Sequence, residues 1–226
     1  IAKLVNPAAV RYDALKDLAP VAMVNTAPLV LVARSSLPAA SLGDAIQLAQ
    51  KEPGKISYAT SGIGTILHLA MERISEQAKA QFVHVPYKGG GQIVTDVAGG
   101  QVDLAMLISV TAMPQIQAGK LKALAVTSRE RMPELPQVPT VRESGIKDFE
   151  VEEWNGFFVP AGTPPAVVAR LQEMVQKALA LPATRSGLEK LGLTPVGSNA
   201  AQFSSFVAAE RARWEQVVKT NHITVN

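Results

Sequence analysis

Two glycine-rich turns carry the residue types that could hold an anion. The first, YATSGIGT at residues 58–65, joins a strand-like segment to a stretch that is apolar at helical spacing. Gly62 and Gly64 let the backbone approach a ligand closely, and Ser61 and Thr65 add hydroxyl groups. Because a helix start presents free N–H groups and the positive end of the helix dipole, this turn suits an anion, most simply a carboxylate.

The second turn, VPYKGGGQ, also lies between a predicted strand and a predicted helix. Its three consecutive glycines, Gly89, Gly90 and Gly91, expose several N–H groups beside the Lys88 ammonium and the Tyr87 hydroxyl. Two such turns on neighbouring strands could converge on one oxygen-rich ligand. The alternatives stay open at this point: the first turn could need glycine for its geometry alone, and the second could be a flexible surface loop.

Side chains suited to catalysis are few and poorly placed. Neither turn matches a phosphate-binding loop, and the patterns GxGxxG and GxSxG are both absent. His68 is expected about two helical turns beyond Ser61, too far along to act as its base. His84, inside the apolar segment FVHVP, is expected to be a hydrogen-bonded core histidine. No catalytic residue is predicted, and nothing requires an enzyme.

Composition excludes several function classes. The 226 residues include no cysteine and three histidines, so no metal site, disulfide or cofactor is predicted. The 22 basic against 19 acidic residues give a net charge of +3 that is spread along the chain, which argues against nucleic acid. No apolar run approaches the roughly 20 residues of a membrane-spanning helix. The start, IAKLVNPAAV, has no signal-peptide pattern, which predicts a cytosolic protein or a mature or truncated chain.

Strand-like and helical segments alternate along the first 126 residues. The strand-like segments are apolar on both faces, which predicts an α/β fold with a parallel sheet covered by helices on each side. Ser41 is placed where the first of these helices begins, and Thr163 and Pro164 are predicted as the N-cap and first residue of a later one. A long amphipathic helix is predicted to close the chain.

Four stretches together resemble a known family. They are ISYATSGIGTILHLAMERI, VHVPYKGGGQIVTDVAGGQVDL, MPQIQAGKLKALAVTSRERMPELPQVPTVRESG and WNGFFVPAGTPPAVVARL. In this order they resemble the Bug family of extracytoplasmic solute receptors, the TctC-like binding proteins of tripartite tricarboxylate transporters. The similarity runs from about Asn6 to the C-terminus, which makes it far more specific than either glycine turn alone.

The resemblance implies a periplasmic-binding-protein-like (Venus flytrap) fold of two α/β domains. Residues 1–31 and 152–226 would form a discontinuous first domain, and residues 32–151 the second. It also implies a periplasmic receptor that captures a small mono- or dicarboxylic acid in an interdomain cleft and serves membrane transporter subunits. Many relatives have more polar residues at the positions of Leu107 and Ile108. The apolar side chains here are expected to restrict the ligand specificity to a less substituted acid.

The family's ligand loops carry over by position to residues in three turns and one crossover between the domains. These are Ser61, Gly62, Gly64 and Thr65 in the first turn, Lys88, Gly89, Gly90 and Gly91 in the second, Ile108 and Ser109 at the end of a strand, and Trp154 and Asn155 at the crossover.

The chain departs from the family at its start. Relatives begin with a strand, a glycine-rich ligand loop and a further βαβ unit, so the first domain is expected to be N-terminally incomplete and the signal segment is not present. An oligomer formed through the sheet edge thus exposed is one expected consequence. Two other functions stay open: an enzyme on the same fold, with Ser61 or Lys88 as nucleophile, or the effector-sensing domain of a regulator.

Overall fold

The computed structural model describes residues 1–8 and 10–224, and these divide into two compact units. The continuous unit is Pro28–Glu152, and the discontinuous unit joins Ile1–Ala27 to Glu153–Asn226. The first long strand, β1 (Leu18–Arg34), begins in the discontinuous unit and ends in the continuous one. Among the described residues, no helix combines the length and the hydrophobicity that crossing a bilayer requires.

A five-stranded sheet forms the centre of the continuous unit. Besides the end of β1, its strands are β2 (Ser57–Thr60), β3 (Val83–Pro86), β4 (Leu104–Ile108) and β5 (Leu121–Val126). The strand order is β3-β2-β4-β1-β5, with β2 parallel to both β3 and β4.

The prediction of a wholly parallel sheet is wrong for β1, which pairs antiparallel with both β4 and β5. The central position of β1 explains the error. A strand in the middle of a sheet that is covered on both faces is buried whichever way it runs. Its apolar sequence APLVLVA therefore carries no sign of its direction.

Four helices connect these strands: α2 (Leu42–Lys51), α3 (Ile66–Ala78), α4 (Gly90–Ala98) and α5 (Ser109–Gln117). The predicted start of α2 is confirmed, because the Ser41 hydroxyl accepts from the Asp44 N–H and the Asp44 carboxylate accepts from the Ser41 N–H. Helix α4 and strand β4 bury Ile93, Val97 and Ala105 in one apolar cluster with Val30 and Val32 of β1. Burying this many aliphatic side chains fixes the sheet on which the turns are mounted.

The discontinuous unit is built around the start of β1. It contains α1 (Ala2–Val5), β6 (Glu152–Pro160), α6 (Pro165–Ala180), α7 (Pro182–Lys190), β7 (Thr194–Pro195) and α8 (Ala200–Thr220). Strands β6 and β7 both pair with β1. The predicted closing helix is confirmed as α8, whose buried stripe includes Phe203, Val207 and Trp214.

The predicted N-cap at Thr163 is wrong by one residue. Helix α6 begins at Pro165, with Pro164 as its N-cap. Proline has no N–H and a fixed φ, so Pro165 can occupy the first helical position at no cost in hydrogen bonds. Pro165 also disfavours helical geometry in the residue before it, so Pro164 stays extended, at ψ 136°, and becomes the N-cap.

Candidate functional site: three turns at one edge of the sheet

Three neighbouring parallel strands of the continuous unit end at the same edge of the sheet. Strand β2 ends at Thr60, β3 at Pro86 and β4 at Ile108, and each is followed by a turn and a helix. The carboxyl ends of parallel strands are where the following helices present their N-termini. The first turn (Ser61–Thr65), the second turn (Tyr87–Gly89) and the third turn (Ile108–Ser109) are therefore mounted side by side.

The first turn needs its glycines. Gly62 has φ +131° and Gly64 has φ +74°, both in the region that side chains disfavour. The Thr65 hydroxyl donates to the Gly62 carbonyl oxygen at 2.9 Å and accepts from the His68 N–H, so Thr65 is the N-cap of α3. The structure thus supports the geometric role of glycine here, and the ligand role stays a prediction.

His68 is the third residue of α3, and Ser61 lies before this helix begins. The expected separation of two helical turns between Ser61 and His68 is therefore wrong. Its Nδ1 atom accepts from the Gly64 N–H at 3.1 Å. Sequence reasoning missed this contact because it looked for a bond to Ser61. The signal was the spacing of Thr65 and His68: in a capping box, the side chain three residues after the N-cap reaches back to a backbone N–H.

The second turn leads directly into α4. Gly89 is the N-cap in extended conformation, with no side-chain cap, and Gly90 and Gly91 are the first two helical residues. Lys88, Gly89 and Gly91 are exposed. The predicted placement of the Tyr87 hydroxyl beside these N–H groups is wrong: it donates to the Asp96 carboxylate at 2.7 Å. Burial and this hydrogen bond raise the pKa of Tyr87 to about 12.

The third turn is the shortest, because α5 starts immediately after β4. Ile108 is its N-cap, again without a side-chain cap, and Ser109 is the first helical residue and fully buried. Leu107 is buried in the core and Ile108 is half-buried. Like α4, α5 therefore begins with backbone N–H groups that no N-cap side chain satisfies.

Contacts between the turns join them into one region. A side chain placed on Gly62 would begin 3.7 Å from the Tyr87 carbonyl oxygen, and one placed on Gly90 would begin 3.3 Å from the methyl group of Thr111 in α5. The Tyr87 N–H also donates to the Thr60 carbonyl oxygen at 2.9 Å. The first turn therefore lies beside the second, and the start of α4 lies beside α5.

Trp154 and Asn155 belong to β6 in the discontinuous unit. The Trp154 ring packs edge-on against Phe203 and Phe206, with centroids 5.5 and 5.6 Å apart, and the Asn155 amide donates to Asn25 at 3.2 Å. These contacts give both residues structural roles within that unit. Their role as ligand contacts stays a prediction.

No group of histidine, aspartate and glutamate side chains within the described residues is arranged to hold a metal ion. Asp96 accepts from Tyr87, and Asp103 accepts from Arg34 and Ser57, so each carboxylate has its own structural partners. What the described part of the continuous unit offers is a set of backbone donors with one exposed cation, Lys88, beside them. These groups are suited to binding an anion.

Helix N-termini gathered at the carboxyl ends of parallel strands mark the edge at which α/β proteins bind small ligands. Comparison with known families agrees: the tripartite tricarboxylate transporter family receptor model matches residues 4–223. The chain belongs to this receptor family, which is one of solute-binding proteins rather than enzymes.

Curated relatives support the assignment. A protein encoded in the tcbD-tcbE intergenic region of Pseudomonas sp. (strain P51) is 36% identical over 219 residues, which are 96% of this chain and 65% of that protein. BugT of Bordetella pertussis is 34% identical over 208 residues, which are 92% of this chain and 64% of BugT. The chain therefore spans slightly less than two thirds of these relatives.

Solved structures show the same fold. R. palustris Rpa4515, determined with adipate, has a TM-score of 0.90 and 31% identity, covering 99% of this chain and 76% of that one. MatC from Rhodopseudomonas palustris, determined with bound malate, has a TM-score of 0.85 and 31% identity, covering 96% and 75%. Adipate and malate are both small dicarboxylates.

Proposed function

We propose that this chain is the carboxylate-binding part of an extracytoplasmic receptor, and that it captures a small mono- or dicarboxylic acid at the three turns of the continuous unit. The observation that carries the proposal is the meeting of two uncapped helix starts, at Gly90 and Ser109, with the glycine turn at Gly62. Backbone N–H groups at a helix start attract an anion both by hydrogen bonding and through the helix dipole.

Charge and shape favour a carboxylate over a larger anion. The turns lack the lysine and hydroxyl sequence of a phosphate loop, and Lys88 is the exposed cation next to the α4 start. Ile108 is half-buried at the end of β4 and gives this edge of the sheet an apolar side chain, which favours a ligand that carries few further polar groups, whereas Leu107 is buried in the core. The adipate and malate found with similar proteins belong to this chemical class.

The biological setting is also part of the proposal. Membership of the receptor family supports a periplasmic location and service to the membrane subunits of a tripartite tricarboxylate-type transporter. The boundaries of the two units, after Ala27 and after Glu152, lie within four residues of the predicted domain limits. In this proposal, movement of the two domains signals ligand occupancy to a membrane partner.

Isothermal titration calorimetry against a panel of mono-, di- and tricarboxylates tests this function. We expect at least one small acid to bind with a Kd well below millimolar, and Lys88→Ala to weaken it about tenfold. Lys51→Ala, at the exposed C-terminal end of α2, is the matched control and should bind like the parent protein. Binding no tighter than millimolar across the panel would contradict the proposal.

A further inference from the structure

Two histidine rings stack beneath the first turn. The rings of His68 in α3 and His84 in β3 are nearly parallel, at an interplanar angle of 11°, with centroids 3.9 Å apart. His68 is 6% exposed and His84 is half-buried. Tyr58 of β2 extends the stack, with its ring centroid 4.9 Å from that of His84. Three aromatic rings from three elements thus support one turn.

Each histidine contacts a different end of the turn. The Nδ1 atom of His68 accepts from the Gly64 N–H at 3.1 Å. The Nε2 atom of His84 lies 2.7 Å from the Thr60 hydroxyl, which in turn contacts the backbone carbonyl and N–H of Gly62. The stacked pair therefore fixes both glycines whose positive φ angles shape the turn.

The contacts of His68 also determine which of its ring nitrogens carries the proton in the neutral ring. Since Nδ1 accepts a hydrogen bond, the neutral ring carries its proton on Nε2, which faces the Glu72 carboxylate at 3.5 Å. The Tyr58 hydroxyl donates to the same Glu72 oxygen at 2.5 Å. Burial, and then Glu72, raise the pKa of Tyr58, so it remains a donor at neutral pH. Glu72 and Tyr58 thus hold His68 in the tautomer that the turn needs.

We infer that His68 is a positioning residue for the proposed carboxylate site: stacked on His84 and accepting from the Gly64 N–H, it orients the Gly62–Gly64 turn for ligand binding. The inference rests on the proposed function. Loss of the Nδ1 acceptor would remove the hydrogen bond that holds the Gly64 N–H in place.

The groups around His84 keep its ring neutral at pH 7.5. Burial, followed by the closeness of His68, lowers the pKa of His84 to about 4, and Glu72 from α3 acts in the opposite direction. The neutral His84 ring therefore stays beside the Thr60 hydroxyl while it stacks on His68.

Two substitutions of His68 separate its functions. In His68→Asn, the side-chain oxygen can occupy the position of Nδ1 and accept from Gly64, but the ring that stacks on His84 is lost. In His68→Phe, a ring remains to stack on His84, but the acceptor is lost. We expect His68→Asn to retain affinity within about threefold at pH 7.5, and His68→Phe to lose about tenfold.

The test is calorimetry with adipate and malate as probes at pH 7.5, on the parent protein and both variants. His68→Asn should keep most of the parent's affinity because it keeps an acceptor for the Gly64 N–H, whereas His68→Phe should not. Binding by His68→Phe equal to the parent's, or a loss in His68→Asn as large as that in His68→Phe, would overturn the inference. Thermal unfolding of each variant at pH 7.5 identifies any that fails to fold.

A second measurement separates this inference from the proposed function. In ¹⁵N NMR at pH 7.5, His68 of the parent protein should show a proton on Nε2 and none on Nδ1, and the Gly64 amide should be protected from exchange in the parent and less so in His68→Phe. If this pattern holds but no carboxylate binds, the proposed function fails and the positioning of the turn stands. A proton on Nδ1 in the parent, or a Gly64 amide equally protected in His68→Phe, overturns the positioning.

Discussion

The α-carbon of Gly156 in β6 faces the ring of Phe203 in α8 with no room for another atom. A Cβ at this position would lie 2.2 Å from the Cζ atom of Phe203 and 3.0 Å from the Ala22 carbonyl oxygen. Phe203 is fully buried and belongs to the apolar cluster of Met23 and Val207, so it has little freedom to move aside. Glycine at 156 is therefore required by packing.

Gly156→Ala should destabilise the discontinuous unit by about 1–3 kcal/mol, because the new methyl group displaces the Phe203 ring. Chemical denaturation followed by tryptophan fluorescence measures this, since Trp154 packs against Phe203. The matched control is Gly162→Ala, where a Cβ meets nothing within 4 Å, and its effect should stay within about 0.5 kcal/mol. Equal effects of the two substitutions would contradict the packing argument.

Asp103 should make the stability of the continuous unit depend on acid pH. Although partial burial alone would raise its pKa, hydrogen bonds from Ser57 and from Arg34 lower it below the usual value. A carboxylate with a lowered folded-state pKa stabilises the fold above its unfolded-state pKa, and this contribution disappears as the pH falls through the folded-state value. The expected loss thus begins below about pH 4.

Asp103→Asn should cost roughly 2 kcal/mol at pH 7, because the amide cannot accept all the hydrogen bonds that the carboxylate accepts. The difference between parent and variant should shrink towards pH 2. Asp148→Asn, at an exposed position with φ +52° that asparagine tolerates, serves as the control. A difference that stays constant from pH 7 to pH 2 would show that the charge of Asp103 is not responsible.

His84 should impose a second pH dependence, at higher pH. Burial and His68 lower its folded-state pKa to about 4, against about 6.5 when unfolded. The unfolded chain therefore binds a proton first, and the free energy of unfolding should fall as the pH drops from about 6.5 to about 4. His84→Gln, which keeps a polar atom near Thr60, should flatten thermal stability across this window. An unchanged slope in the variant would assign the dependence to another group.

Gly64→Ala tests the first turn against a matched glycine. Gly64 and Gly119 have φ angles of +74° and +69°, so alanine should strain the backbone to a similar extent at both, by roughly 1–2 kcal/mol. Only Gly64 lies in the proposed ligand turn, so only Gly64→Ala should weaken carboxylate binding, by about tenfold or more. Comparable loss of affinity in both variants would mean that general destabilisation, rather than the turn, controls binding.

Local rules predicted much of the continuous unit from sequence. The Ser41 cap, the glycine turns and the alternation of strands with helices all depend on residues close together in the chain. The direction of β1 was not predictable in this way, because an apolar strand buried on both faces reads the same in parallel and antiparallel pairing.

The site was partly predictable for a related reason. The turns that would hold a ligand were found because glycine and hydroxyl residues follow strand ends, but their support was missed. His68 in α3 stacks on His84 in β3, 16 positions away, because α3 follows β2 and β2 pairs with β3. No local sequence pattern predicts a contact of that kind. Likewise, the Tyr87 hydroxyl donates to Asp96 in the following helix, α4, rather than to a group in its own turn. The predicted oligomer through a sheet edge stays a prediction.

The most direct test of the central claim is to follow the backbone amides of the turns by ¹⁵N-¹H NMR while a dicarboxylate such as adipate is added at pH 7.5. The proposed function predicts saturable shifts at Gly62, Gly64, Gly89, Gly90 and Gly91, with Gly119 and Gly162 unchanged. Saturable binding that leaves all five turn glycines unmoved, or no binding by any small carboxylate, would contradict the assignment of this edge of the sheet as the ligand site.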